Sequence, residues 1–219
     1  MGEKNFIIST TRLENFSDGV FAIILTLLAF QFKVPKFSPA FSFERNFREL
    51  LLISPYLLGF LFSFIFVAVF WVNHHHLYHT IREVNGKLLW YNIHSLFWIA
   101  MIPFAIAMVG DHPDIPLVAI SLGVVLFMAS LAAYLLRRYS YLKSKLVDET
   151  LSYESIRDGL VKNTVALILT AIGILTAIKY VYVSYIIYFA VLAVFMIPQK
   201  MEKIYRRGNR NRSSEAGPG

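Results

Sequence analysis

Cysteine is absent from the 219 residues, which removes disulfides, thiolate metal sites and cysteine nucleophiles together. Charge is scarce as well. Asp, Glu, Lys and Arg make up 16% of the chain against 57% hydrophobic residues, a balance foreign to a water-soluble globular domain. No TVGYG segment occurs, so a carbonyl filter of that sequence is excluded, and no helix carries arginine at every third position, which excludes a voltage-sensing segment. HExxH is missing too, and with it the glutamate base of a metalloprotease. The net charge of +7 lies between apolar runs and in the tail, where it reads as a membrane-topology signal rather than a nucleic-acid footprint. The first apolar run follows Lys4 and Arg12, as a signal peptide's would. No small-residue cleavage site follows it, so it is expected to stay as a helix.

What remains is an all-α integral membrane protein. A hydrocarbon core of about 30 Å takes roughly 20 apolar residues as helix. Six windows supply them, near 12–32, 50–79, 88–110, 114–137, 160–180 and 183–199. The turns at Gly110–Pro113 and Lys179–Val183 are short, which predicts antiparallel hairpins. Lysines and arginines number 16 on the side holding the N-terminus, the second-to-third and fourth-to-fifth connections and the tail. The opposite side has 5. Positive flanks stay in the cytoplasm, so both termini are expected there, in a multi-pass membrane protein. Residues 1–207 are expected to form one six-helix transmembrane domain without internal duplication, the connection over 138–159 should hold a short helix or helix extension, and 208–219 read as a disordered tail.

The first helix opens on TRLENFSDG. Thr11 and Glu14 fit a capping box, which predicts a helix start at Arg12. From there Phe16, Gly19, Ile23, Thr26, Leu27 and Phe30 fall on one stripe that should face protein or a pore. The same stripe suits ordinary helix packing, with Gly19 and Ala22 admitting a neighbour and Thr26 bonding its own upstream carbonyl. Arg12 and Asp18 are about 240° apart around the helix and cannot pair with each other. Each needs a partner elsewhere, because ionisable groups at membrane depth are costly.

The second span ends on FWVNHHHLYHTI. Trp71, His75 and Tyr78 share a face there, at the level where the first helix starts. His75 and His79 have the spacing of paired imidazole ligands, but the motif is incomplete and no metal is assigned. Asn92, His94, Asn163, Thr164 and Lys179 read as caps or anchors.

Arg12-Leu-Glu-Asn-Phe16-Ser17-Asp18 with GVFAIILTLL after it resembles the RxxxFSD signature of the transmembrane protein 175 family, and Trp71-Val-Asn-His74-His75 is similar to the WxxHH pattern closing that family's second helix. The resemblance implies a potassium-selective, leak-like cation channel in which potassium is the permeant ion and no cofactor is held. A single motif copy resembles the prokaryotic form, which implies a homotetramer in a bacterial or archaeal plasma membrane, with the first helices of four subunits around a central pore. It further implies that Ile23, Leu27 and Phe30 are the constriction layers, Ile23 the narrowest, that Thr26 sets cation preference, and that Arg12, Ser17, Asp18, Trp71, His74 and His75 form a polar cluster joining helices one and two. An aromatic at position 30 departs from the aliphatic layer the family leads one to expect.

A hydrophobic ring without a carbonyl filter gates by dewetting, and a small rotation of the first helix would widen it. The alternative is a proton-coupled transporter or membrane enzyme using Asp18 and the histidines as proton carriers. A regulatory subunit without transport of its own is the third reading.

Overall fold

The computed structural model describes residues 9–31, 34–142, 146–147 and 153–196. Helices dominate them: α1 (Thr10–Leu27), extended by a 3-10 turn over Leu28–Gln31, then α2 (Phe43–Leu51), α3 (Ser54–Tyr78), α4 (Gly86–Asp111), α5 (Pro116–Leu142), α6 (Tyr153–Ala177) and α7 (Val181–Met196). Five stretches are long and apolar enough to cross a bilayer: Thr10–Phe30, Phe43–Tyr78, Gly86–Asp111, Pro116–Leu142 and Ile156–Ala177. The sixth expected span, α7, has 16 residues. At about 1.5 Å per residue that gives roughly 24 Å, short of a full hydrocarbon core. The end of its window, 197–199, and the tail lie outside the described residues.

Consecutive helices from α3 to α7 pack side by side, and α1 lies against α3 and α4. The main core runs through the middle of this bundle, with Phe21 of α1, Phe66 and Phe70 of α3, Ile99 and Ile102 of α4, Leu126 of α5 and Val191 of α7 buried in it. A second, smaller core seals the end where α1 begins, built from Leu13, Leu77, Tyr78, Ile81, Val84, Leu88 and Leu136. The same end is laced across its loops, since the Arg82 amide donates to the Leu146 carbonyl at 2.8 Å and Ile81 bridges Val147.

Tyr188 fixes how the last three helices meet. Its ring is buried and its hydroxyl donates to the Ala119 carbonyl at 3.2 Å. A methyl group at Gly123 of α5 or Gly173 of α6 would run into that ring. Both positions are glycine because an aromatic side chain fills the space where a Cβ would stand.

Three expectations need correction. The second span does not begin at 50, because α2 is a separate helix that ends at Leu51. Ser42 caps it by accepting from the Arg45 amide, and the chain turns at Leu52 and Ile53 before α3 starts with proline in its first turn. Pro55 has no amide to continue a helix arriving from Leu51, so the apolar run Leu50–Ile53 is interrupted where hydropathy alone reads straight through. The first helix starts two residues early. Ser9 is its cap, accepting from the Arg12 amide at 3.3 Å, while Thr11 lies inside the helix. Thr10 is drawn into the helix by a long-range bond, its hydroxyl donating to the Arg82 carbonyl at 2.9 Å. The fourth span runs on to Leu142, past the expected end at 137, so Arg137 is not at a helix terminus. It is buried, with its guanidinium directed at the Asn73 carbonyl at 3.4 Å and the Tyr141 hydroxyl at 3.3 Å. This is the helix extension expected of the following connection.

Candidate functional site

α1 has two unlike faces. Leu13, Ser17, Phe21 and Leu28 are buried, with Val20, Ile24 and Leu25 packed against the core beside them. On the other side Asn15, Phe16, Gly19, Ala22, Ile23, Thr26, Leu27 and Phe30 are exposed in the single chain. Ile23 retains 58% of its accessible surface and Phe30 retains 85%. The stripe expected from helical spacing is therefore the face that this chain leaves uncovered. Its composition is mixed: bulky Phe16, Ile23, Leu27 and Phe30 alternate with glycine, alanine, asparagine and threonine. Small and polar residues of that kind let another backbone or water approach, and lipid tails reward neither.

Thr26 donates its hydroxyl proton back to the Ala22 and Ile23 carbonyls, at 2.9 and 3.0 Å. With its hydrogen so engaged, the oxygen turns only lone pairs outward. An exposed acceptor of this kind suits a cation.

The polar residues at the start of α1 anchor it to two helices rather than one. Asp18 accepts from the Trp71 indole on α3 at 2.8 Å, and the Glu14 carboxylate lies 3.4 Å from His75 Nδ1. Four residues along α1 are answered by four residues back along α3, so the two pairs form a ladder between antiparallel helices. Ser17 turns to α4 instead, meeting Asn92, whose amide donates to the Ser17 oxygen at 3.0 Å in a fully buried contact. His74 is buried against Phe21 and Tyr78, with ring centroids 5.4 and 4.7 Å away. Among the described residues its Nε2 has no hydrogen-bond partner. Trp71 stacks on His75 at 5.5 Å. Arg12 is exposed, and its guanidinium takes no partner among the described residues.

The structure thus joins Asp18 to Trp71 and brings His74 alongside α1, gives Ser17 a partner on a third helix, and leaves Arg12 outside these contacts. It adds Glu14 and Asn92, which sequence reasoning had assigned to capping and anchoring. A signal for Glu14 was present in its spacing, one turn before Asp18 and opposite the Trp71/His75 pair. Asn92 had none, because a lone asparagine in an apolar run has no period to share. Glu14, His75 and His79 also come together, each offering a ligand atom so that all three lie within 4.8 Å of one another. His79 Nε2 lies 2.9 Å from His75 Nε2.

Comparison with known proteins finds relatives for the chain. The family model described as endosomal/lysosomal potassium channel TMEM175 matches residues 12–103. A protein of Chryseobacterium sp. (strain P1-3) named as a potassium channel is 33% identical over 192 residues, covering 86% of this chain and 93% of its own length. A mouse protein named endosomal/lysosomal proton channel TMEM175 is 26% identical over 125 residues, which is 57% of this chain and 24% of its own. The solved structure of a lysosomal potassium-selective channel TMEM175 homolog from Chamaesiphon minutus superposes with a TM-score of 0.72 at 23% identity, covering 87% of this chain and 98% of that one. The structural likeness shows a shared fold, and identity sustained over nearly the whole bacterial relative shows kinship. The chain belongs to the TMEM175 family, whose named members are ion channels and not enzymes.

Proposed function

We propose that this protein is a potassium-permeable, leak-like cation channel of the cell membrane. In this reading four copies set their α1 helices around a common axis and both termini lie in the cytoplasm. The observation that carries it is the uncovered stripe on α1, which sets bulky apolar side chains one turn apart among small and polar ones. A bacterial relative of nearly the same extent is named as a potassium channel, and it supports potassium as the ion.

In this arrangement Ile23, with Leu27 and Phe30 beyond it, forms rings of hydrocarbon that shed water when narrow and admit a hydrated ion when wide. One helical turn from Ile23, four Thr26 oxygens present lone pairs to an ion that has lost part of its shell. Such ligation is weak and flexible, and it suits a preference for potassium over sodium rather than strict exclusion. Asp18 with Trp71, and Ser17 with Asn92, hold the start of α1 so that the rings stay in register.

Potassium flux into liposomes tests the assignment. The purified protein should carry potassium in preference to sodium, and Ile23→Asn should raise both fluxes severalfold by wetting the ring. Unchanged flux in assembled Ile23→Asn protein would show that the constriction lies elsewhere. A second reading, proton conduction, is favoured by the names of the animal relatives and by the row Glu14, His75, His79. A pH-sensitive dye in the same liposomes separates it, because proton entry without potassium flux would replace the first reading.

A further inference from the structure

Glu14 and His75 belong to the contacts between α1 and α3, and His79 joins them where neither the pore nor that anchor requires a third polar group. Among the described residues they form the group whose ligand atoms come within 4.8 Å of one another. We propose that they are a binding site for one divalent first-row transition ion of the zinc type, which clips the start of α1 to the end of α3.

The donor set is the first argument. Two imidazoles and a carboxylate are the ligands that borderline cations such as zinc select, whereas calcium and magnesium prefer oxygen alone. Geometry is the second. His75 and His79 stand at i and i+4 on α3, and their Nε2 atoms face each other at 2.9 Å. Two nitrogens so close repel as bare lone pairs and need a proton or a cation between them. Tetrahedral zinc, with bonds of about 2.0–2.1 Å, separates two nitrogens by roughly 3.4 Å, a rotamer adjustment away from what is seen. Support from neighbouring side chains is the third. Trp71 stacks on the His75 ring at 5.5 Å and fixes its plane, and the Glu14 carboxylate, 3.4 Å from Nδ1 of that ring, reaches an ion held by the Nε2 atoms through a rotamer change within the 4.8 Å cluster. His79 is exposed, which leaves the fourth position open to water.

The carboxylate comes from α1 and both imidazoles from α3, so a bound ion adds a cross-link between the helices. Zinc titrated calorimetrically into tag-free protein in detergent should bind at one ion per chain and raise the thermal midpoint, increasingly with free zinc. His79→Gln and Glu14→Gln should each lose the binding by tenfold or more and lose the rise in midpoint. His79→Gln alters an exposed side chain, so its midpoint without metal should match the parent and certify the fold. Zinc binding retained by both variants, or binding by the parent that never saturates, would overturn the site. Binding and midpoint are read without any flux measurement. A protein that takes up zinc as described but carries no ion across a membrane would refute the channel and leave the clip standing.

Discussion

On the uncovered face of α1, Thr26 offers its surroundings an acceptor and no donor. Its hydroxyl hydrogen is taken by the carbonyls of Ala22 and Ile23, so only acceptor capacity faces away from the helix. In the proposed channel, replacing it with alanine would remove a cation ligand without disturbing the helix, because the back-bond contributes little to helix stability and slightly strains it. Thr26→Ala should therefore keep the conductance and lower the potassium-to-sodium flux ratio by roughly 3- to 10-fold, equivalent to ~0.7–1.4 kcal/mol, about the net worth of one good polar contact. Paired potassium and sodium flux assays on the same liposome batch would check it. An unchanged ratio would move selectivity to the rings at Ile23 and Leu27.

Among the elements, α5, α6 and α7 depend on each other through one tyrosine. Gly123 and Gly173 sit where the Tyr188 ring passes, and a Cβ at either would stand closer than 3.0 Å to that side chain, so something must shift. Overpacking of this sort costs about 1–3 kcal/mol. Gly173→Ala should lower the thermal midpoint in detergent by several degrees while Gly19→Ala, which meets nothing within 4 Å, leaves it unchanged.

The elements also show how far sequence reasoning reaches. Six apolar windows were legible because bilayer thickness sets a length that composition can be counted against, and the α1 stripe was legible because period 3.6 is local. The start of α1 was not. Ser9, Thr10 and Thr11 all carry a hydroxyl able to cap, and the choice among them rests on the Arg82 carbonyl, 72 positions away. The break before α3 was written in Pro55 but hidden inside a hydropathy window. The contact of Ser17 with Asn92 was not legible, since it is made by the crossing of α1 with α4 between residues 75 positions apart.

For the whole molecule, the proposed tetramer puts the meeting of copies on the exposed face of α1. Gly19 lies on that face with open space around it in one chain. Gly19→Leu should then fold as a subunit, with the helical circular dichroism of the parent, yet fail to hold the tetramer. Native mass spectrometry should show four chains for the parent and a shift toward single chains for the variant, and potassium flux should fall in step. Retention of four chains by Gly19→Leu would place the subunit contact on another helix.

The paired contacts of Glu14 with His75 and Asp18 with Trp71 have a mechanical consequence. A helix held at two successive turns on one side cannot spin about its own axis without breaking both contacts. Beyond them Phe21, Ile24 and Leu28 seat the same side of α1 against its neighbours, so the azimuth of the helix is set along its whole length. In the proposed channel, widening a ring at Ile23 would then require α1 to move together with α3 and α4, as a unit keyed from end to end, and not to turn alone.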